Sequence, residues 1–308
     1  MLVKKSVVLA KVETTPGTDA APTAALNAVQ VENLNFGFAN QKMTEQPNVK
    51  TTLGKDKSLF GSTLFTASFD VKVKGSGAAG TAPECGPLLQ ACGFDETVVV
   101  STSVTYAPLS EALKHITLYI YRDGKLYPML GCQGNVSFNG ESGGAGMFSF
   151  TFTGHEGAQS DTALPAPTLD ATESPIIKSA GFSVDSFAAS ISKLSFDMGN
   201  EVSTPMDVNA ADGFGEITII DRNVTGGIDP LDTLLATNDF VDDWKTSKSM
   251  ALTTGVIGGT AGNRFQISMP AISYTDAPYG ERDGQQTVEL VFGAHESAGD
   301  DQVSIAFT

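Results

Sequence analysis

The sequence is poor in cysteine, in basic residues and in long apolar runs. Its 308 residues include three cysteines, Cys85, Cys92 and Cys132, and no two of them form a C-x2-C pair. Three cysteines are too few and oddly numbered for a disulfide framework, and their spacing does not indicate a zinc site. We therefore expect reduced thiols, as in a protein that assembles in a cytoplasm.

Basic residues are scarce relative to acidic ones. The chain holds 19 Lys and Arg against 35 Asp and Glu, a formal net charge of -16. Specific binding to nucleic acid depends on Lys and Arg that displace counterions from phosphates, so we do not expect it here. Charged residues make up only 18% of the chain and apolar residues 41%. This balance favours a globular protein that covers part of its surface in an assembly.

No apolar run is long enough for export or membrane insertion. The basic start that contains Lys4 and Lys5 is followed by a run of about five apolar residues, shorter than the apolar region of a signal peptide or a membrane span. We therefore expect a protein that has no membrane association.

Internal similarity predicts a tandem duplication, because three matches occur in the same order in both halves. The first match pairs Leu34–Asn40 with Leu194–Asn200. The second pairs the strand around Phe69, Val71 and Val73, a Gly-rich turn and Pro87-Leu88-Leu89 with Ile217, Ile219, Thr225-Gly226-Gly227 and Thr233-Leu234-Leu235. The third pairs Phe148–Phe152 with Val288–Phe292. The length also favours two domains. We expect domain 1 at residues 1–163 with a long loop at about 42–62, a Pro-containing linker at 164–175, and domain 2 at 176–308.

Alternating apolar residues predict a mainly β fold, with each domain a β-sandwich or barrel flanked by one short helix. Asp123-Gly124 after the strand at residues 116–122 supplies the φ > 0 residues of a tight hairpin turn. The helices are expected at about residues 84–92 and 230–237, each with a proline near its start. The strand Phe148–Phe152 has one apolar face and one uncharged polar face, which suits either water or an enclosed channel.

Motifs that would indicate catalysis are weak. Gly75–Gly80 matches G-x-G-x-x-G, but prolines precede the expected helix, and we interpret the segment as a flexible turn rather than a dinucleotide site. His155-Glu156 and His295-Glu296 lack the spacing of a zinc hydrolase and are interpreted as strand-end or subunit-boundary contacts. Asp242-Asp243 and Asp300-Asp301 lack the alternation of a calcium loop. We expect no enzyme, and no catalytic, cofactor-binding or metal-binding residue.

The segment Lys11–Thr23, with the sequence KVETTPGTDAAPT, resembles the opening of the tail-tube proteins of long-tailed, siphophage-like bacteriophages. Size, acidity, few cysteines and β content are similar to that family. The resemblance implies a major tail protein whose inner strands join those of its neighbours into a barrel around a channel. Rings of that family usually contain six such domains. Two domains per chain would therefore give a homotrimeric ring with pseudo-sixfold symmetry.

The resemblance also implies partners and a location. The tube would assemble around a tape-measure protein in the bacterial cytoplasm, end at tail-end proteins in the virion, and conduct phage DNA during ejection without binding it specifically. The sequence leaves open whether Glu289, Asp221 or other acidic residues line the lumen.

Uneven charge predicts how rings would stack. The first 165 residues hold 12 basic and 14 acidic residues, and the remainder hold 7 and 21. We therefore predict that basic residues near the N-terminus and in the long loop contact an acidic face of the next ring. These are Lys4, Lys5, Lys42, Lys50, Lys55 and Lys57.

Three other functions remain open from the sequence. A secreted or surface β-sandwich adhesin would share the Gly- and Thr-rich strands but is expected to carry a signal peptide. Another virion protein, such as a capsid decoration or tail-terminator protein, would differ in whether it polymerises alone. A dinucleotide-dependent enzyme rests on the Gly75–Gly80 motif alone.

Overall fold

The computed structural model describes residues 2–308 and is mainly β, as the alternation predicts. The first part of the chain forms β1 (Ser6–Val12), β2 (Ala28–Val29), β3 (Glu32–Thr44), β4 (Leu59–Lys72), α1 (Gly86–Ala91), β5 (Phe94–Val99), β6 (Ser103–Pro108), β7 (Ile116–Arg122), β8 (Lys125–Glu141), β9 (Met147–Glu156) and β10 (Ser160–Asp161). The second part forms β11 (Ser183–Val184), β12 (Lys193–Asp197), β13 (Asn200–Ser203), β14 (Thr218–Arg222), β15 (Thr225–Ile228), α2 (Phe240–Lys245), β16 (Met250–Thr253), β17 (Phe265–Asp276), β18 (Tyr279–Arg282), β19 (Gln285–Val288), β20 (Leu290–Ala294) and β21 (Ser304–Phe307).

Eight antiparallel strands form what we call the central sheet, in the order β3-β4-β9-β8-β12-β15-β20-β17. The first four strands come from the first half of the chain and the last four from the second half. The halves meet where β8 pairs with β12, in a register that places Phe138 opposite Phe196. β8 is 17 residues long, and its N-terminal part pairs with β7, which in turn pairs with β1.

The halves also meet at the C-terminus. β21 pairs with β17 on one side and with β6 of the first half on the other, with Ile305 opposite Tyr106. One hydrophobic core contains residues of both halves, among them Phe150 and Phe292. The two halves therefore pack as a continuous body within the chain.

The segment at residues 164–175 lies against the first half. The Thr168 N–H donates to the Ala24 carbonyl at 2.9 Å, and Lys74 Nζ donates to the Asp170 carbonyl at 2.9 Å. Lys74 also pairs with Glu84 at 3.3 Å, and both side chains are buried. Burial raises the pKa of Glu84, although Lys74 opposes this shift.

Both halves contain an extended hairpin with a loop of fourteen residues, at 45–58 between β3 and β4 and at 204–217 between β13 and β14. The first loop lies within the range 42–62 where a long loop is expected, and the second half has a loop of equal length. The loops differ in where they lie. Val49 and Leu53 in the first loop are fully exposed, whereas Phe214 and Ile217 in the second pack against Leu64 of the first half.

The first predicted helix is confirmed, and the second is in a different place. α1 lies inside the predicted range 84–92 and has proline in its first turn. Residues 230–237 form no helix, and their Leu234 and Leu235 side chains are mostly exposed. α2 begins instead after Asp239, whose side chain accepts a hydrogen bond from the Asp242 N–H at 2.9 Å, while Phe240 is buried. An N-cap and one anchoring aromatic therefore outweigh the proline signal.

The predicted turn between β7 and β8 is confirmed, with φ positive at both Asp123 and Gly124. The glycine-rich segment Gly75–Gly80 is a packed turn. The Gly77 N–H donates to the Gly262 carbonyl at 3.0 Å, and a Cβ on Gly75 would lie 2.1 Å from that carbonyl oxygen. The glycine at position 75 thus allows two backbones from different halves to touch.

Candidate functional site

One face of the central sheet is polar along its whole width, and we call it the polar face. It follows from the two-residue period of strands whose alternate side chains enter the core. Its residues are partly or fully exposed, and most carry hydroxyl or amide groups. They are Glu32, Asn35, Gly37, Thr66, Ser68, Asp70, Lys72, Ser149, Thr151, Thr153, Asn135, Ser137, Asn139, Glu141, Lys193, Ser195, Asp197, Thr225, Gly227, Glu289, Val291, Gly293 and Ser273.

Most charged groups on the polar face have partners, among them Lys72, which pairs with Glu32 at 2.8 Å. Lys193 Nζ lies 3.0 Å from Glu289, whose hydrogen bond is the main cause of a raised Lys193 pKa. The Asn135 amide donates to Asp197 at 2.7 Å, and the Asn33 amide donates to Asp70 at 2.7 Å. Glu289, one of the two named candidates for an acidic lumen residue, thus lies on the polar face with its charge paired. Asp221, the other candidate for an acidic lumen residue, lies on the hairpin extension β14.

The opposite face of the central sheet is aromatic and buried. Phe138 lies at the centre of the β8–β12 junction, with its ring centroid 5.6 Å from Phe196 and 5.7 Å from Phe148. Phe265 completes this cluster at 6.3 Å. Such aromatic clusters stabilise a sheet by area burial and ring contacts. The junction between the halves is therefore as well packed as a domain core.

Polar contacts also hold the β8–β12 junction. The Met198 N–H donates to the Val136 carbonyl at 3.0 Å, which continues the ladder by one more bond. The Asn200 side chain donates to the carbonyls of Cys92 and Gly134 at 2.8 and 3.0 Å. These bonds satisfy the Cys92 carbonyl at the end of α1 and the Gly134 carbonyl on β8, beyond the last pair of the β8–β12 ladder.

Open strand edges lie at β3 and at β18, the short strand that follows β17, whereas β17 itself pairs with β16 and β21. Within residues 2–308, β3 pairs only with β4. At the other end, β18 pairs only with β19 in the described chain, and the hairpin they form continues β17 and β20. Tyr279 on β18 is 62% exposed, although a large aromatic residue at this position of a sheet is normally covered. Unpaired edges of this kind are templates for pairing with another chain.

Asp229 fixes the β18 edge to β12. Its carboxylate accepts from the N–H groups of Ser192 and Lys193 at 2.8 and 2.9 Å, from the Ser192 hydroxyl, and from Arg282 on β18 at 2.8 Å. Burial is the largest influence on this group and raises its pKa. The hydrogen bonds and the Arg282 charge together outweigh burial, so the Asp229 pKa lies below its usual value.

Asp229→Asn is expected to destabilise the second half by about 1–3 kcal/mol, because it weakens the bonds to Ser192 and leaves Arg282 without its charge partner. A lowered pKa in the folded state means that the stabilising contribution is present above the unfolded pKa and is lost as pH falls through the folded value. The stability gap between the two proteins should therefore shrink below about pH 4. Urea unfolding from pH 3 to 7 measures this gap, and a gap independent of pH would contradict the role of the carboxylate.

The basic residues predicted to contact another ring lie in two places. Lys4 and Lys5 precede β1, and Lys5 lies 3.9 Å from Asp123. Lys42 is on the exposed end of β3, and Lys50, Lys55 and Lys57 are in the loop at 45–58. Lys50 pairs with Asp56 of the same loop. All six are exposed.

The histidines and cysteines have structural surroundings. His155 Nδ1 lies 2.6 Å from Asp212 in the loop at 204–217, so this strand-end pair joins the two halves. His295 contacts the Ser249 hydroxyl at 3.1 Å. The cysteines are unpaired and buried, and burial raises the Cys85 pKa to about 12. Residues 2–308 contain no group of three metal-binding side chains.

The two acidic pairs have local roles. Asp301 accepts from the N–H groups of Ser297 and Ala298 at 2.9 Å each, and Asp300 pairs with Arg222 at 2.7 Å. Asp242 and Asp243 lie in the first turn of α2, where negative charge is favourable. In the part of the chain that the structure describes, no helix has the length and apolar character of a membrane span.

Comparison with known proteins agrees with the resemblance in the opening segment. The family model described as "Phage tail tube protein" matches residues 4–308, which is almost the whole chain. No curated protein sequence matches the chain.

Proposed function

Because the chain belongs to the phage tail tube protein family, we propose that three copies close into a ring with pseudo-sixfold symmetry and that stacked rings form a tube that conducts DNA. Membership of the family makes the protein a structural component of the virion rather than an enzyme. The β8–β12 junction carries the proposal of a trimer. It joins four strands of one half edge to edge with four strands of the other.

A tandem duplication is supported by the register of the hydrogen bonds. Two of the three sequence matches equate Phe36 with Phe196 and Phe152 with Phe292. In the sheet, Phe36 is connected to Phe152 through one residue of β4, and Phe196 is connected to Phe292 through one residue of β15. These intermediate residues are Ala67 and Gly226. Two independent matches thus agree with one superposition of the halves.

The same superposition shifts the middle sequence match. It places Thr225–Ile228 on the positions of residues 66–69, whereas the sequence match equates the strand around Phe69 with Ile217 and Ile219. Ile219 lies on the hairpin extension β14. The order of elements in the two halves remains the same: a long hairpin, a short helix, and a second long hairpin.

Ring closure follows from the open ends of the central sheet. One chain presents β3 at one end and β18 at the other. β3 corresponds to β12, and β18 corresponds to the end of β8, so the two open edges match the two strands that join at the β8–β12 junction. Repeating that junction between chains gives a closed sheet of four strands per half, with no exposed edge. Three chains would supply six halves. Each interface would join the β18 edge of one chain to the β3 edge of the next.

The polar face suits the wall of a DNA channel. Hydroxyl and amide groups dominate it, Lys193 is paired with Glu289, and Asp70 and Asp197 accept from amides. Such a wall offers no cluster of cations to hold phosphates. Any repulsion from its carboxylates is limited to about 8 Å at physiological salt. The channel would also hold the tape-measure protein during assembly and be closed by tail-end proteins.

Stoichiometry tests the trimer. Native mass spectrometry of isolated rings should show three chains. Six chains per ring would contradict the equivalence of the two halves, because each half would no longer occupy one of six positions. A monomer at every concentration would contradict ring formation itself.

Stacking is proposed to use the basic residues Lys4, Lys5, Lys42, Lys50, Lys55 and Lys57 against the acidic second half of the next ring. The triple charge reversal Lys50→Glu, Lys55→Glu, Lys57→Glu is expected to leave rings intact but to shorten tubes several-fold, since like charges then face each other. Electron microscopy at low and high salt measures the tube length. The charge-neutral control Lys50→Gln, Lys55→Gln, Lys57→Gln should have an intermediate effect. Tubes of normal length in the reversed variant would exclude these contacts.

A further inference from the structure

The β8–β12 junction within the chain is a template for the contact between chains. Its register places Ser137 opposite Asp197 and Phe138 opposite Phe196. The Met198 N–H donates to the Val136 carbonyl, so these two residues direct their backbone groups across the junction. By alternation, Phe138 and Phe196 do the same. Ser137 and Asp197 therefore form a pair without mutual hydrogen bonds, whose side chains approach closely on the polar face.

The first open edge, β3, corresponds to β12 residue by residue. Phe36 corresponds to Phe196 in the superposition of the halves, so Gly37 corresponds to Asp197 and Phe38 to Met198. Gly37 has an ordinary negative φ, and a Cβ added there would meet no atom within 4 Å. A side chain at position 37 therefore fits on the polar face. The outer edge of β3 has no partner strand within residues 2–308.

The second open edge, β18, corresponds to the end of β8. Phe148 on β9 is opposite Phe138, and Val288, its counterpart in the second half, is opposite Tyr279. Tyr279 thus takes the place of Phe138, and Pro278 takes the place of Ser137. The Pro278 carbonyl accepts from the Glu289 N–H at 2.8 Å, which shows that the backbone of Pro278 faces into its own hairpin. The missing N–H of this proline does not weaken the outer edge.

We propose that β18 of one chain pairs antiparallel with β3 of a second copy in a fixed register, with Tyr279 opposite Phe36 and Pro278 opposite Gly37. This inference rests on the proposed ring and names the surfaces that close it. The Tyr279 side chain, 62% exposed in the single chain, is covered beside Phe36 as Phe138 is covered beside Phe196.

Asn40 adds a second contact at the same interface. It corresponds to Asn200, whose side chain bonds across the β8–β12 junction to the carbonyls of Cys92 and Gly134. Within its own chain, Asn40 donates only a 3.3 Å bond to the Thr204 hydroxyl among the described contacts. Tyr274 corresponds to Gly134, because Tyr274 pairs with Phe292 as Gly134 pairs with Phe152. In the ring, the Asn40 amide therefore reaches the backbone of the neighbour near Tyr274.

Disulfide trapping tests the register. Gly37→Cys with Pro278→Cys is expected to convert the monomer on a non-reducing gel into covalent dimers and trimers, because pairs without mutual hydrogen bonds bring Cβ atoms to a distance that a disulfide spans. The off-register control, Asn35→Cys with Pro278→Cys, lies on the same face two residues away and should stay monomeric on the gel. Asn139→Cys with Ser195→Cys, the equivalent type of pair within one chain, should form an internal disulfide. The native cysteines are buried and should not interfere.

The outcomes separate the register from the ring. Rings seen by electron microscopy together with trapping of the off-register pair, or of neither pair, would overturn the register and leave the ring standing. An absence of rings and of intermolecular trapping, with the internal Asn139–Ser195 disulfide formed, would overturn both. In-register trapping that includes covalently closed trimers would support both.

Discussion

Phe38→Pro is expected to leave the chain folded and to abolish ring formation. Phe38 on β3 corresponds to Met198, whose N–H donates across the junction between the halves. In the single chain the Phe38 N–H therefore faces solvent, where proline is tolerated in an edge strand. In the ring the same N–H donates to the neighbour, and its loss leaves a buried carbonyl unpaired at a cost of about 1–3 kcal/mol at each interface.

Matched variants separate backbone from side-chain effects. Phe38→Ala retains the N–H and removes the phenyl group, which packs on Phe65 at a centroid distance of 5.1 Å. This variant should therefore still assemble into protein rings. Met198→Pro makes the same change inside the chain, where Met198 is buried, and should lower the thermal midpoint of the monomer. Circular dichroism and sedimentation velocity measure folding and assembly. Normal rings from Phe38→Pro would show that β3 is not the closing edge.

Phe138→Ala is expected to destabilise the monomer strongly. Its ring contacts Phe148, Phe196 and Phe265, and it lies in the junction that holds the halves together. Gly140 and Gly146 lie directly against it, and a Cβ on either would lie 2.9 Å from a carbon of the Phe138 ring. Removing a buried phenyl group of this kind costs about 3–5 kcal/mol. Urea unfolding of the purified monomer measures the loss.

The control for Phe138→Ala is the corresponding residue at the open edge. Tyr279→Ala removes a mostly exposed side chain and is expected to change monomer stability by less than about 0.5 kcal/mol. The same variant should raise the concentration needed for ring formation, because Tyr279 is covered in the ring. Equal destabilisation of the monomer by the two substitutions would show that Tyr279 is already covered within the single chain and does not lie at an open edge.

Much of the fold was predictable because the signals are local. The period of two at Phe148–Phe152 gives the faces of β9, and Asp123-Gly124 gives the turn before β8. The misplaced helix shows the limit of such signals. A proline at 230 suggested a start, whereas the helix follows Asp239 because that carboxylate caps it and Phe240 anchors it.

The central sheet was less accessible to sequence reasoning, because strand pairing across more than fifty residues is set by packing. No local pattern indicates that β12 pairs with β8, or that the loop at 204–217 folds onto the first half while the loop at 45–58 stays free. A signal was nevertheless present. The match between Leu34–Asn40 and Leu194–Asn200 contains both the strand that joins the halves and the strand left at the open edge.

The candidate site was predicted in kind rather than in extent. An uncharged polar face was evident for β9 alone, and its continuation over eight strands required the pairing order. The ion pair of Lys193 with Glu289 joins two strands that are not sequence neighbours, so the neutralisation of Glu289 was not visible in the sequence.

The central claim is that two joined halves repeat around a ring, and electron microscopy of the concentrated protein tests it most directly. Class averages of end views should show a hollow ring with six similar lobes related by threefold symmetry, and side views should show stacked rings. Compact single particles at every concentration, or rings in which each chain forms one of six identical lobes, would contradict the claim.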